Sequence, residues 1–137
     1  MVPESPQLGQ RTEGLWGAHT ASIDWCEDNY TTSRYIAEFF NTMSNVPFMA
    51  IGFYGWWRFL QAGAPHKYAL PFLGLSIIGA GSFGFHMTLR WDWQLMDELP
   101  MIYLVMLCNF LVWDVDKRWG YRGVAAMLAF DVGHTAS

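Results

Sequence analysis

The sequence predicts an all-α protein, a multi-pass transmembrane helix bundle with three full spans and a truncated fourth. Three observations predict it. Charged residues make up only 15% of the chain, well below the ~25% of an average soluble domain. Eight Trp, ten Phe and six Tyr in 137 residues are more aromatic surface than a soluble core of this size needs. The charges also cluster, leaving long apolar runs at about 39–57, 68–89 and 93–113, each near the ~20 residues that cross a bilayer as a helix.

The elements follow in order. Residues 1–21 hold Pro, Gly, Gln and Thr without apolar periodicity, and are expected to be a mobile N-terminal arm. They contain no apolar signal core, so insertion is expected to rely on the first span. Residues 22–137 are read as a single membrane domain. Its first part, 22–38, is an acidic block, in which Asp24 and Glu27 have the spacing of a capping box and predict a short helix.

The run from Phe39 to Trp57 is uncharged but carries Asn41, Thr42, Ser44, Asn45 and Pro47. Those polar groups are expected to face other helices or a cavity. Trp56-Trp57-Arg58 closes it as an aromatic belt with a cation, and Gly63-Ala64-Pro65 is a turn. In the second run, Gly74, Gly79, Gly81 and Gly84 allow close helix contact, and His86 is the only titratable group. The chain is expected to reverse at Arg90-Trp91-Asp92 into the third run, which has Trp at both ends. A fourth apolar run, 123–130, is too short to cross a bilayer.

Charge sets orientation and excludes some partners. The net charge of −4 lies mostly in the N-terminal region, which excludes nucleic acid. Arg58 and Lys67 flank one loop, and Lys117, Arg118 and Arg122 lie in another. By the positive-inside rule these face the cytosol. The N-terminus, the acidic block and the 90–92 turn then share the lumenal or exterior side. Cys26 and Cys108 lie far apart in sequence and in unlike contexts, which allows a disulfide between them without favouring one.

The chemistry-bearing residues collect on that side. Ser82 and His86 are four apart, one helical turn, and Asp97 comes back on the returning helix. Alone, each has a structural reading: Ser82 as a small packing residue, His86 as a hydrogen-bonded interfacial residue, Asp97 as a helix-start charge. Together they offer a metal ligand, a hydroxyl beside it and a carboxylate that moves protons, the parts of metal-assisted amide or ester hydrolysis. Asp24, Glu27, Asp28, Asn29 and Glu38 bring five oxygen-bearing side chains together in the acidic block. They suit a hard cation such as calcium, although spacing alone favours a capped, solvated acidic helix.

The stretches GLWGAHTASIDWCEDNY, YIAEFFNTMSN and GSFGFHMTLRWDWQLMDELPMIY, in this order, cover most of residues 14–113. The chain resembles the N-terminal half of the alkaline ceramidases, within the CREST superfamily of membrane hydrolases and receptors. The resemblance implies a seven-helix membrane protein of the endoplasmic reticulum or Golgi with a lumenal N-terminus. It implies zinc-dependent hydrolysis of the ceramide amide to sphingosine and fatty acid. His86 then becomes a zinc ligand, Ser82 the hydroxyl beside it and Asp97 the carboxylate assisting the water. Asp24, Trp25 (through its backbone carbonyl), Glu27, Asn29 and Glu38 become calcium ligands. The family's remaining zinc histidines belong to an HxxxH several helices beyond Phe130. The 137-residue chain alone is therefore expected to be a fragment unable to hold zinc or enclose a lipid; the alternatives are an inactive member or a receptor- or scaffold-like member of the same superfamily.

Overall fold

The structure, a computed structural model, describes residues 14–117; the short apolar run at 123–130 lies outside them. Three long helices dominate: α1 (Phe39–Gln61), α2 (Leu70–Thr88) and α3 (Trp91–Lys117), with a single 3-10 turn at His66–Tyr68 before α2. Among the described residues the architecture is all-helical apart from two isolated bridges, Gly14 with Gly17 and Ser33 with Ile36.

Each helix has a local reason for its ends. The start of α1 at Phe39 lacks a cap from its own N-cap residue, Glu38. The Glu27 carboxylate takes that role from the preceding loop, accepting the N–H groups of Phe40 at 2.8 Å and Asn41 at 2.9 Å. The sequence pattern had paired Glu27 with Asp24 as a capping box for a short helix near residue 24. No helix forms there, because Glu27 satisfies orphan donors thirteen and fourteen residues further on instead. At the other end of α1, Gly63 takes a positive φ of 68° and turns the chain.

Pro71 lies in the first turn of α2, where its missing N–H removes no helical bond. The helix stops at Leu89, a non-glycine residue in the left-handed region at φ 50° and ψ 37°, with its N–H donating to the Phe85 carbonyl at 2.7 Å. The reversal expected at residues 90–92 therefore takes only Leu89 and Arg90, and α3 starts at Trp91 with Asp92 complementing its N-terminal dipole.

The helices pack through small residues. A Cβ on Gly52 would strike the α2 backbone at Phe72 and Ser76, 2.7 Å away, so α1 and α2 touch almost backbone to backbone. The Ser76 hydroxyl crosses that seam to the Met49 carbonyl at 3.0 Å. At the far end of the hairpin Lys67 forms an ion pair with the buried Asp114.

Residues 66–88 and 91–114 are long and apolar enough to cross a membrane. The outward face of α3 exposes Ile102, Tyr103, Val105, Val112 and Trp113, as a lipid-facing surface would. Helix α1 forms where the first span is expected, but its composition falls short of the same measure. Asn41, Thr42, Ser44 and Asn45 supply the reason, and Thr42 and Asn45 are buried.

A candidate active site at the corner of the α2–α3 hairpin

His86 sits in the last turn of α2 with its side chain 12% exposed. Ser82 lies one turn earlier, and Asp97 lies in α3. The two helices approach closely because Gly81 has no side chain. A Cβ there would run into the Met96 carbonyl and come within 3.1 Å of the Asp97 nitrogen. That contact brings the second turn of α3, which carries Asp97, alongside the last two turns of α2, which carry Ser82 and His86. The three residues singled out in the sequence thus share one corner of the hairpin. The corner gathers a hydroxyl donor, an imidazole and a carboxylate, the groups that acyl-transfer chemistry uses.

A fourth group joins them. Glu38, fully buried at the start of α1, accepts a hydrogen bond from His86 Nδ1 through Oε2. Its Oε1 accepts the Trp25 backbone N–H at 3.2 Å, and Asn41 Nδ2 donates to Oε2 at 3.3 Å. The backbones are also joined: the N–H groups of Ala37 and Glu38 donate to the carbonyls of Met87 and His86, both at 3.0 Å. A carboxylate on Nδ1 fixes the tautomer that leaves Nε2 free to ligate, the usual arrangement around a metal-bound histidine. Sequence reasoning placed Glu38 only in the acidic block. Its position directly before a membrane run was the one available signal of burial.

The acidic block is a loop wrapped over this corner. Asn29 Nδ2 donates to both Asp24 carboxylate oxygens at 3.2 and 3.3 Å, and Trp25 is tied to Glu38. Asp28 is exposed and accepts the Thr31 hydroxyl through its backbone carbonyl. Asn29 Oδ1 is buried without a hydrogen-bond partner. An orphaned amide oxygen on a side chain bound to the Asp24 carboxylate is a donor that a hard, oxygen-seeking cation such as calcium would take, while no three carboxylates cluster there among the described residues. Tyr30 anchors the loop. Its ring is buried with Ala37, Phe85 and Leu89, and burial pushes its phenol above the ordinary value.

The loop's entry strand is latched to the hairpin. Thr20 and Ala21 donate N–H groups to the Leu89 carbonyl at 3.1 and 3.0 Å, and Trp91 N–H donates to the Thr20 hydroxyl at 3.0 Å. Buried Gln94 accepts the Ser22 N–H at 2.9 Å and donates to the Ser22 hydroxyl at 2.7 Å and to Glu98 at 2.8 Å. Residues 14–21, expected to be part of the arm, thus hold defined partners from Gly14 onward; residues 1–13 lie outside the described region. Gln94 was missed in the sequence. An amide in the first turn of an apolar run was its signal.

A catalytic zinc takes three protein ligands, and this corner offers one imidazole. Among the described residues no three His, Cys, Asp or Glu side chains group as a metal site. The described residues therefore fit one corner of a zinc site, His86, and do not complete it. Cys26 and Cys108 are both free and exposed.

Comparison with known proteins places this geometry in context. The family model described as Ceramidase matches residues 17–136. The chain is 42% identical over 105 residues to alkaline ceramidase 3 of Mus musculus, covering 77% of this chain and 39% of that protein. It is 43% identical over 94 residues to an alkaline ceramidase of Saccharomyces cerevisiae (69% and 30%) and 34% identical over 119 residues to one of Arabidopsis thaliana (87% and 46%). The chain spans less than half the length of each of these relatives, matching their N-terminal part.

Proposed function

The chain belongs to the ceramidase family, and from that premise we propose that it is the N-terminal part of an amidohydrolase that cleaves the ceramide amide to a sphingoid base and a fatty acid. The observation that supports this most is the placing of Ser82, His86 and Asp97 at one half-buried corner, produced by the Gly81 contact.

Each residue has a role in that reaction. Asp97 takes the proton of the attacking water and returns it to the leaving amine nitrogen. Ser82 donates its hydroxyl hydrogen to the carbonyl oxygen as negative charge develops there. His86, oriented by Glu38, is one zinc ligand, the others lying outside the described residues. Zinc, when bound, supplies Lewis-acid activation of the water and the carbonyl. Asp24, the Trp25 carbonyl, Glu27, Asn29 and Glu38 hold calcium, with the unpartnered Asn29 oxygen as the favouring feature.

In this reading α1 is a third span of a seven-helix bundle. Residues 1–21 form its lumenal arm, and the protein resides in the endoplasmic reticulum or Golgi with its corner site at the lumenal side. The test is release of sphingoid base from ceramide by the purified full-length protein, with and without zinc chelation. Metal-dependent release, lost on Asp97→Asn, is the expected result. A well-folded, zinc-loaded protein that leaves ceramide intact would overturn the reading and favour a receptor- or scaffold-like role.

A further inference from the structure

Trp25 is placed oddly for an acidic loop. Its side chain belongs to a residue 54% exposed, among Asp24, Cys26 and Asp28, which are all exposed as well. Its ring centroid is nevertheless 6.3 Å from that of His86, tilted by 53°. The imidazole therefore has Phe85 on one side, at 4.9 Å, and the Trp25 indole on another. The backbone of Trp25 is fixed independently of the ring, because its N–H donates to Glu38 Oε1 at 3.2 Å. No hydrogen bond fixes the indole nitrogen among the described residues. The loop thus holds a large amphipathic ring in a set place beside the imidazole, with about half of its surface still open.

We propose that the Trp25 indole is a substrate-binding residue, packing against the polar–apolar junction of the lipid as the amide approaches His86. The inference rests on the ceramidase reading above and deepens it. The His86 corner lies at the end of an apolar helix, the depth at which an amphipathic lipid changes from hydrocarbon to polar head. An indole suits that junction. Its face buries against methylenes, and its N–H donates to a hydroxyl or carbonyl. The role belongs to the ring alone. Side-chain substitution leaves in place both the Trp25 N–H that holds Glu38 and the carbonyl offered to the cation.

The test uses the full-length protein in membranes, with a long-chain N-acyl sphingoid substrate and the variants Trp25→Ala and Trp25→Phe. For Trp25→Ala the expected result is a KM about tenfold higher, the size of one lost aromatic contact, with kcat held within about twofold. Trp25→Phe keeps the face and recovers most of the KM. An unchanged KM in Trp25→Ala overturns the proposal and leaves the ring as a membrane-interface anchor. A fall in kcat at constant KM overturns it too, since the ring would then act on the machinery and not on the lipid.

A second measurement covers failure of Trp25→Ala to fold, or a wild type without activity. A non-hydrolysable, brominated lipid amide should quench wild-type tryptophan fluorescence more than that of Trp25→Phe. Equal quenching overturns the assignment. Absence of hydrolysis by the wild type, with quenching still lost in Trp25→Phe, instead overturns the ceramidase reading and keeps Trp25 as a lipid contact.

Discussion

Glu38 and His86 stand 48 positions apart in sequence and hold each other twice, through the imidazole Nδ1 on the carboxylate and through the Glu38 N–H on the His86 carbonyl at 3.0 Å. The pair joins the start of α1 to the end of α2 and fixes which imidazole nitrogen faces the site. Glu38→Ala removes the acceptor and buries an unpaired ring N–H. It should cost about 1–3 kcal/mol of stability and weaken zinc binding by roughly 10–100-fold. Denaturant melts of the metal-free protein and metal analysis of the full-length protein read the two effects separately.

Gly81 is the residue whose enlargement should damage the site most for its size. Gly81→Ala must push α3 away from α2 at Met96, at a cost of about 1–3 kcal/mol. It should also draw Asp97 away from Ser82, so that turnover falls more steeply than melting temperature. Gly63→Ala, at a loop position with open space around it, serves as a comparison that pays only backbone strain.

Asp97→Asn should lower kcat by about 10²–10⁴, and Ser82→Ala by about 10²–10³, with little change in KM. Single-turnover kinetics on the full-length protein would separate these effects from product release. A large rise in KM with unchanged kcat would assign both residues to substrate binding.

Glu27 closes the N-terminus of α1 from outside the helix. Glu27→Ala leaves the Phe40 and Asn41 N–H groups unpaired and should cost about 1 kcal/mol. Thermal melts in calcium-free buffer isolate that capping contribution. A second, larger loss confined to calcium-containing buffer would report the cation role.

Tyr30 links stability to alkaline pH. Burial raises its folded-state pKa above the unfolded value, because the neutral phenol is favoured in the core. The contribution is therefore complete below the unfolded pKa, about 10, and is lost as pH rises through the higher folded value. Wild type should lose melting temperature above about pH 10 more steeply than Tyr30→Phe, which cannot ionise.

Much of the site was legible because its geometry is local. Ser82 and His86 are one turn apart, and a short reversal brings Asp97 back beside them, so helical periodicity and one turn suffice. The glycines of the second run announced close packing, though not that Gly81 in particular would meet Met96. What could not be read was the long-range pairing. The Asp24–Glu27 spacing has the form of a capping box for a helix at residue 24, and nothing local announces that Glu27 instead closes the helix that starts at Phe39. Glu38 to His86 and Ser22 to Gln94 join segments that no periodicity connects. The first-span expectation rested on the absence of charge, whereas the polar residues of α1 keep every stretch of it short of the apolarity that segments of α2 and α3 reach.

The Leu89 carbonyl, receiving N–H groups from Thr20 and Ala21, also sets an order of assembly. Synthesis runs from the N-terminus, so the loop bearing Asp24, Trp25 and Glu27 is made well before the corner that holds it. It must wait, unlatched and hydrated, until α2 and α3 have been inserted and Leu89 has turned. Maturation of this site is therefore a late event in biogenesis, and a lesion confined to the hairpin corner would leave an already synthesised loop with nothing to close upon.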